Sequence, residues 1–253
     1  MKLKVKLLFV LLPVILILCS CERTFFSGES ADAKLSVVVV TAGHGFKEKP
    51  FFAIFESFDD IEYAIAHQKD DSEIFEDITD WDYDVIVLYN MTQKITPKRR
   101  ENFVKLLDKG TGVVALHHNI AAFQNWPEYE KIIGAKYYLK AAKHNGTTHQ
   151  AGTYKHDVQI KVNVVNKSHP ITRGMSDFII KDETYKKCTF ASDNKVLLST
   201  DEPTSDGPLC WVRKYKNARV CYIQLGHGPS AYQDENYRKL VKRAIKYSAG
   251  VLD

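Results

Sequence analysis

The chain alternates between continuous apolar segments and segments with apolar residues at helical spacing. Residues 35–41, 83–89 and 112–116 are largely apolar and rich in β-branched side chains. Uniform apolarity is typical of a strand covered on both faces, as in a parallel α/β sheet. Between these runs, apolar positions predict a helix over about 50–67, and Thr96-Pro97 is a helix-start signal. The first half therefore predicts a β-α-β-α-β order.

The second half is richer in strand-like segments, which lie at residues 157–165, 195–200, 209–213 and 219–225. Lys216-Asn217 lies between the last two and predicts a hairpin turn. Apolar residues at helical spacing predict a final helix over 232–248. Together these features predict one α/β domain with a doubly wound, mostly parallel sheet, helices on both of its faces, and a β-rich insertion before the last strand and helix.

The N-terminus has the pattern of a bacterial lipoprotein signal peptide. Three lysines precede an apolar run over 7–19, which has the length of a signal-peptide h-region and is short for a membrane span. Leu18-Cys19-Ser20-Cys21 resembles a lipobox, so we expect lipidation at Cys21. Ordinary signal cleavage and an uncleaved anchor helix are the alternatives.

This pattern sets the expected domain organisation. We expect a signal peptide over 1–20, a tether over 21–34 and one domain over 35–250. The protein would then lie in the bacterial cell envelope, periplasmic or surface-exposed, and the lipid anchor would be its only contact with the membrane.

Charge and cysteine content narrow the classes of function. The formal net charge is +4, and three of the positive charges lie in the expected signal peptide. A near-neutral domain lacks the electrostatic footprint of a nucleic-acid-binding protein, so we expect no nucleic-acid partner. After Cys21 the cysteines are Cys188, Cys210 and Cys221, an odd and widely spaced set that does not form a disulfide framework. Cys210 and Cys221 lie in apolar runs and are expected to be buried, and one disulfide among the three is compatible with an oxidising compartment.

Histidine follows three of the predicted sheet strands. His44 comes after the first strand, the pair His117-His118 after the third, and His227 after the last. Ligands collect at the carboxyl ends of strands in open α/β sheets, so these residues are candidate catalytic groups. Glu183 follows another apolar run and joins them as a candidate.

These side chains allow two chemistries. Imidazole suits proton transfer near neutral pH, and a neighbouring carboxylate can orient it or act as a base. Alternatively, residues drawn from His44, His118, His227 and Glu183 would hold a divalent metal such as Zn²⁺. Each residue also has a structural alternative: His44 in a tight turn, one member of the His117-His118 pair packed beneath the pocket, and Glu183 at a strand end.

The candidate substrate contacts are mostly aromatic. They are Asn119, Tyr185, Tyr232 and Trp126. An aromatic ring can stack on a sugar or contact its hydroxyls, but core packing is the alternative and is favoured for Trp126.

The remaining histidines carry weaker signals. His67 is expected on the surface and His169 in a turn. His144, His149 and His156 have irregular spacing and no cysteine partner, and they lie in a polar loop that could close over the site.

Several short motifs occur in a consistent order between residues 35 and 250. They are VVALHHN at 113–119, WPEYE at 126–130, IG at 133–134, HPIT at 169–172, DF at 177–178, DETY at 182–185, Trp211, and QLGHG at 224–228. Together they resemble the ThuA-like (trehalose utilisation) family. That resemblance implies a flavodoxin-like fold similar to that of class I glutamine amidotransferases, with an elbow between a strand and a helix.

The resemblance also bears on chemistry. A glutaminase needs a cysteine thiolate at the elbow, whereas His117 occupies that position here, so glutaminase activity is not expected. His227 would lie near the place where such enzymes hold their catalytic histidine. The family implies a carbohydrate function linked to disaccharides such as trehalose and to keto-sugar derivatives.

We therefore expect a lipid-anchored protein that processes a carbohydrate by acid/base chemistry. The reaction would be hydrolysis, β-elimination or isomerisation of a glycoside or 3-keto-glycoside. A metal-dependent hydrolase that uses the same histidines is one alternative, and a non-catalytic sugar-binding lipoprotein is another.

Overall fold

A computed structural model describes residues 34–69, 71–144 and 146–253. The expected signal peptide, the lipidation site Cys21 and the tether up to residue 33 lie outside the described residues. Among the helices of the described residues, none combines the length and hydrophobicity needed to cross a bilayer.

The strands of the described residues are numbered in chain order. They are β1 (Leu35–Ala42), β2 (Ile61–His67), β3 (Val85–Asn90), β4 (Gly112–Leu116), β5 (Ala135–Lys136), β6 (Ala142–His144), β7 (Thr147–His149), β8 (Thr153–Val164), β9 (Phe178–Lys186), β10 (Thr189–Phe190), β11 (Lys195–Ser199), β12 (Pro208–Tyr215) and β13 (Ala218–Ile223).

The helices are numbered in the same way. They are α1 (Glu48–Glu56), α2 (Pro97–Lys109), α3 (Pro127–Ile133), α4 (Pro229–Tyr232) and α5 (Glu235–Ser248), with 3₁₀ segments at Glu73–Phe75 and His117–Ala121.

In the described part of the chain, nine strands form one central sheet in the order β2-β1-β3-β4-β13-β12-β11-β8-β9. The strands from β2 to β13 in that order pair in parallel. The strands from β12 to β9 are antiparallel. We call these the parallel half and the antiparallel half of the sheet. This arrangement confirms the expected flavodoxin-like α/β fold, with a β-rich insertion before β13 and α5.

Helices cover both faces of the parallel half. Val37 and Val39 of β1 belong to the apolar layer that includes α1 and α5. Val38 and Val40 belong to the layer that includes α2 and α3. Because β1 is buried from both sides, every position in its centre is apolar, as its sequence predicts.

The prediction of one helix over 50–67 is wrong. Helix α1 ends earlier, where the N–H and the hydroxyl of Ser57 both donate to the carbonyl of Ile54. Residues 61–67 form the edge strand β2, which pairs in parallel with β1. The apolar residues of this segment fit a helical period as well as an alternating one, so periodicity alone does not separate the two.

The C-terminal helix also begins later than expected. Asp234 caps α5 by accepting a hydrogen bond from the N–H of Tyr237 (3.0 Å), and the preceding turn is the separate short helix α4. The hairpin turn at Lys216-Asn217 is confirmed by the pairing of β12 with β13. Cys210 and Cys221 lie buried on these two strands as free thiols.

Candidate active site

The carboxyl ends of three parallel strands meet in one cleft. His44 follows β1, the pair His117-His118 follows β4, and His227 follows β13. The antiparallel strand β9 lies beside this cleft and contributes Glu183, which contacts His117. The structure therefore brings all five predicted catalytic residues together.

His117 occupies the sharp turn between β4 and the following 3₁₀ segment. Its φ angle is +49°, a conformation that few residues other than glycine adopt and that is often found at functional sites. The Nδ1–H of the fully buried ring donates to the carbonyl of Gln224 (2.6 Å), which leaves the Nε2 lone pair facing Glu183. The Tyr222 hydroxyl donates to the carbonyl of His117 (2.6 Å) and holds the turn.

Three side chains converge on one point in the cleft. The Nε2 atom of His117 lies 2.9 Å from Oε2 of Glu183 and 3.2 Å from Nδ1 of His227. Nδ1 of His227 lies 3.2 Å from the same Glu183 oxygen. The hydroxyl of Tyr185 donates to Nε2 of His117 at 2.9 Å. We call His117, Glu183 and His227 the central cluster.

The charges in the central cluster depend on contacts within it. Burial alone raises the pKa of Glu183, but its contacts with the imidazoles of His117 and His227 outweigh burial and hold the pKa below its ordinary value. The hydrogen bond with Glu183 raises the pKa of His227, and burial partly offsets this rise. Glu183 is therefore ionised at neutral pH.

Asp182 fixes the loop that carries His227. Its buried carboxylate accepts hydrogen bonds from the N–H groups of Gly226 (2.7 Å), His227 (2.9 Å) and Glu183 (2.9 Å). Gly226 has a φ of +115°, and a Cβ there would lie 2.2 Å from the hydroxyl of Tyr237, so the loop requires glycine at this position. Sequence reasoning assigned no role to Asp182.

His156 reaches the site through a β-bulge. The pairing of β8 with β9 shifts register between Lys155 and Val158, and Asp157 has a φ of +57°. The bulge aims His156 at Glu183, with Nδ1 lying 3.0 Å from Oε1. The expectation of a polar loop at His156 is wrong, because this residue lies on a strand and contacts the central cluster.

His44 and His118 form a second histidine group. Their rings stack with centroids 4.4 Å apart. The Nε2–H of His118 donates to the carbonyl of Tyr89 (3.2 Å), and its buried Nδ1 has no hydrogen-bond partner among the described residues. Burial, followed by the charge of His117, lowers the pKa of both rings. This pair therefore supplies neutral imidazole to the wall of the cleft.

The cleft beside the central cluster encloses about 200 Å³. It is lined by His44, Met91, His118, Ala121, Tyr137, Leu139, Tyr154, His156, Glu183 and Tyr185. A mixture of apolar and aromatic wall with a few polar groups is typical of small-molecule sites.

Of the four predicted substrate contacts, Tyr185 lines this cleft. The other three are buried elsewhere. Asn119 donates to the carbonyl of Asn90 (2.9 Å), and Trp126 packs in the apolar layer beneath α2 and α3. Tyr232 donates to the carbonyl of His227 (3.2 Å) and so supports the cluster from below.

The predicted metal set also changes. Among the described residues, the group whose ligand atoms all lie within 4.8 Å of one another is His117, Glu183 and His227. The expected set contained His44 and His118 in place of His117. Those two stack on each other instead, because the turn after β4 points His117 and His118 in different directions.

Comparison with known proteins places this site in a family context. Residues 36–248 match the family described as "ThuA: Trehalose utilisation". No curated protein matches the chain.

Solved structures show the same fold. A ThuA-like protein from Parabacteroides merdae has a TM-score of 0.71 at 20% identity, over 85% of this chain and 90% of that one. A ThuA-like protein from Bacteroides uniformis has a TM-score of 0.65 at 22% identity, over 88% and 95%. A β-galactosidase from Rahnella sp. R3 gives 0.55 at 11% identity over 87% of this chain and 32% of that one. The family match covers nearly all of the described residues, and the chain therefore belongs to the ThuA trehalose-utilisation family.

Proposed function

We propose that this protein is an enzyme that transforms a carbohydrate by proton-transfer chemistry in the cleft. The observation that carries the proposal is the convergence of imidazole and carboxylate groups from β4, β9 and β13 beside a partly aromatic cavity. The family description indicates a carbohydrate-related function. Glycosides and 3-keto-glycosides related to trehalose-type disaccharides are the proposed substrates.

A 3-keto-glycoside suits the groups in the cleft. Its carbonyl acidifies the C2–H bond, so an imidazole of ordinary basicity can remove that proton, and the electron pair moves to the carbonyl oxygen. When the electrons return, the C1–O bond breaks, a C1=C2 double bond forms, and the leaving oxygen takes up a proton. Addition of water to the product completes a net hydrolysis, and return of the proton to C2 from the other face gives an isomer.

The residues divide these tasks by their exposure. His156 and His44 are partly exposed imidazoles in the cavity wall, and we assign proton transfer to them. The central cluster and the hydroxyl of Tyr185 lie deeper, and we assign to them the orientation of the substrate beside these imidazoles.

Incubation of the full chain with 3-keto-trehalose and with trehalose tests the proposal. Mass spectrometry distinguishes elimination from the addition of water, and NMR detects isomerisation. We expect turnover by the native protein and by His169→Ala, a histidine variant outside the cleft, and a strong loss in Glu183→Gln. Carbohydrate binding without turnover would instead establish the non-catalytic alternative.

We also propose that the protein is attached to the bacterial envelope through Cys21. The support is the sequence pattern of residues 1–21. Intact-mass measurement of the membrane fraction should show a diacylated or triacylated chain that begins at residue 21. A Cys21→Ala variant should lose this modification, and an unmodified native chain would refute the anchor.

A further inference from the structure

The three polar atoms of the central cluster form a triangle in which the contact between His117 and Glu183 is not a hydrogen bond when the His117 ring is neutral. The sides are 2.9 Å between His117 Nε2 and Glu183 Oε2, and 3.2 Å from each of these atoms to Nδ1 of His227. Because Nδ1 of His117 donates to a backbone carbonyl, the neutral ring points a lone pair at the carboxylate. A lone pair that faces an ionised carboxylate at 2.9 Å is repulsive.

An additional positive charge is needed at this point. A metal ion supplies this charge and accepts one lone pair from each of the three atoms at once.

We propose that His117 Nε2, His227 Nδ1 and Glu183 Oε2 bind one divalent transition-metal cation, with Zn²⁺ as the reference ion. Zinc lies about 2.0–2.2 Å from nitrogen and oxygen ligands, so two ligands at the tetrahedral angle on one ion are about 3.3–3.6 Å apart. The sides of the observed triangle are a few tenths of an ångström shorter than that spacing. Two histidines and one carboxylate with an open position are also a recurrent catalytic donor set.

The surroundings of the three ligands support this assignment. A metal-binding histidine usually donates its other N–H to a carbonyl or carboxylate, as His117 does to Gln224. The second oxygen of Glu183 lies 3.0 Å from Nδ1 of His156, which holds the carboxylate in place. Asp182 fixes the backbone of His227. Each ligand therefore has a supporting contact, as expected of a preformed metal site.

The position of the ion also indicates what it would bind. Of the three proposed ligands, Glu183 borders the cavity, so an ion bound to it would lie next to the proposed sugar site. An α-hydroxy ketone has two adjacent oxygens that can chelate one ion, and a 3-keto-glycoside presents this group at C2 and C3. This catalytic role rests on the proposed function, whereas metal binding rests on the geometry alone.

Metal binding can be measured without substrate. The full chain in detergent, stripped with a chelator, is titrated with ZnCl₂ by calorimetry, and bound zinc is quantified by elemental analysis. We expect one equivalent in the native protein and in His44→Ala, which removes an imidazole of the same cleft from outside the cluster. Glu183→Gln and His227→Ala should each weaken zinc binding by at least about 100-fold.

A second measurement covers variants that fold poorly. Zinc should raise the unfolding temperature of the native protein and of His44→Ala. Cobalt-loaded native protein should show the d–d absorption of a four- or five-coordinate site. Absence of stoichiometric binding in folded native protein would overturn the proposal, and so would equal loss in His44→Ala or full retention in both cluster variants. Chelator-insensitive turnover by a metal-free chain would reject the catalytic role of the cation and leave the carbohydrate function standing.

Discussion

The parallel and antiparallel halves of the sheet contribute side chains to the same cleft, but the positions of these side chains have different structural causes. In the parallel half, the strands end at one edge, and His44, His117 and His227 lie within four residues of strand ends. In the antiparallel half, Glu183 lies within β9 and His156 on the bulge of β8. The position of the first set follows from the order of the strands in the sheet alone. The position of the second set depends on which residues of β8 and β9 pair.

Asp182 joins the two halves. It belongs to β9, yet two of its hydrogen bonds go to the N–H groups of Gly226 and His227 in the loop after β13. Asp182 therefore holds His227, which follows a parallel strand, next to Glu183, whose position depends on the pairing of β8 with β9. The comparison implies that the chemistry depends most on the antiparallel half, although most of the histidines come from the parallel half.

The largest effect on turnover should come from removing the carboxylate of Glu183, which lies in the antiparallel half. Glu183→Gln keeps the shape of the side chain but loses its charge, and we expect turnover to fall by about 10²-fold or more, because the carboxylate contacts both histidines of the central cluster and its loss would displace them. His44→Ala, in the parallel half, should lower turnover by about 10-fold, because His156 remains as a proton-transfer group. Steady-state kinetics on both variants test this order, and a larger loss in His44→Ala would reverse the comparison.

The next effect should come from weakening the link between the halves. In Asp182→Asn, an amide NH₂ faces backbone donors that now bond to carboxylate oxygen, so the loop of His227 should shift. We expect turnover and zinc affinity to fall by about 10- to 100-fold. Asp157→Asn, at an exposed position of the neighbouring bulge, is the control. Unchanged zinc affinity in Asp182→Asn would show that the link has no positioning role.

A smaller effect should follow removal of the ring placed by the bulge. His156→Ala leaves the central cluster intact, and half of its side chain is exposed, so stability should change by no more than about 0.5 kcal/mol. We expect turnover to fall by about 10-fold. Kinetics and thermal unfolding, compared with His169→Ala, test this expectation. Equal activity of the two variants would assign the bulge a purely structural role.

The smallest expected effect is on the stability of the fold, and it comes from Asp60, which precedes β2 of the parallel half. Asp60 pairs with Lys246 and Lys242 of α5 (2.8 and 2.9 Å), and the hydrogen bond from Lys246 is the main cause that lowers the pKa of Asp60 to about 2. A lowered carboxyl pKa stabilises the fold above its unfolded value, near pH 4. This stabilisation is lost as the pH falls towards 2. Because these groups are partly exposed, Asp60→Asn should cost about 0.5 kcal/mol at pH 7.

Chemical denaturation of Asp60→Asn and the native protein across this pH range measures the difference. It should be present at pH 7 and vanish near pH 2. A constant difference at every pH would attribute the effect to packing rather than to charge.

The same division explains how much the sequence predicts. Uniform apolarity identifies β1 and β4 because both faces of these strands are covered, and the strand-end rule then places His44 and His117 in the cleft. The distinct roles of His117 and His118 could not be predicted, because they depend on a left-handed backbone at one residue.

Features set by long-range pairing escape sequence reasoning. His156 lies at a bulge whose location depends on the register of β8 against β9. Asp182 is buried only because the loop after β13 covers it, and nothing in its local sequence signals that cover. The segment 61–67 fits two periods, and its pairing with β1 decides between them.

The left-handed turn at His117 determines where this side chain lies, whereas the residue type determines how it reacts. The backbone of β4 and the hydrogen bond from Tyr222 fix where the first atoms of this side chain lie, whatever residue occupies the position. A single codon change at 117 can therefore substitute one reactive group for another on an unaltered framework. A position of this kind between a strand and a turn can carry either a thiol or an imidazole at the same point of the cleft.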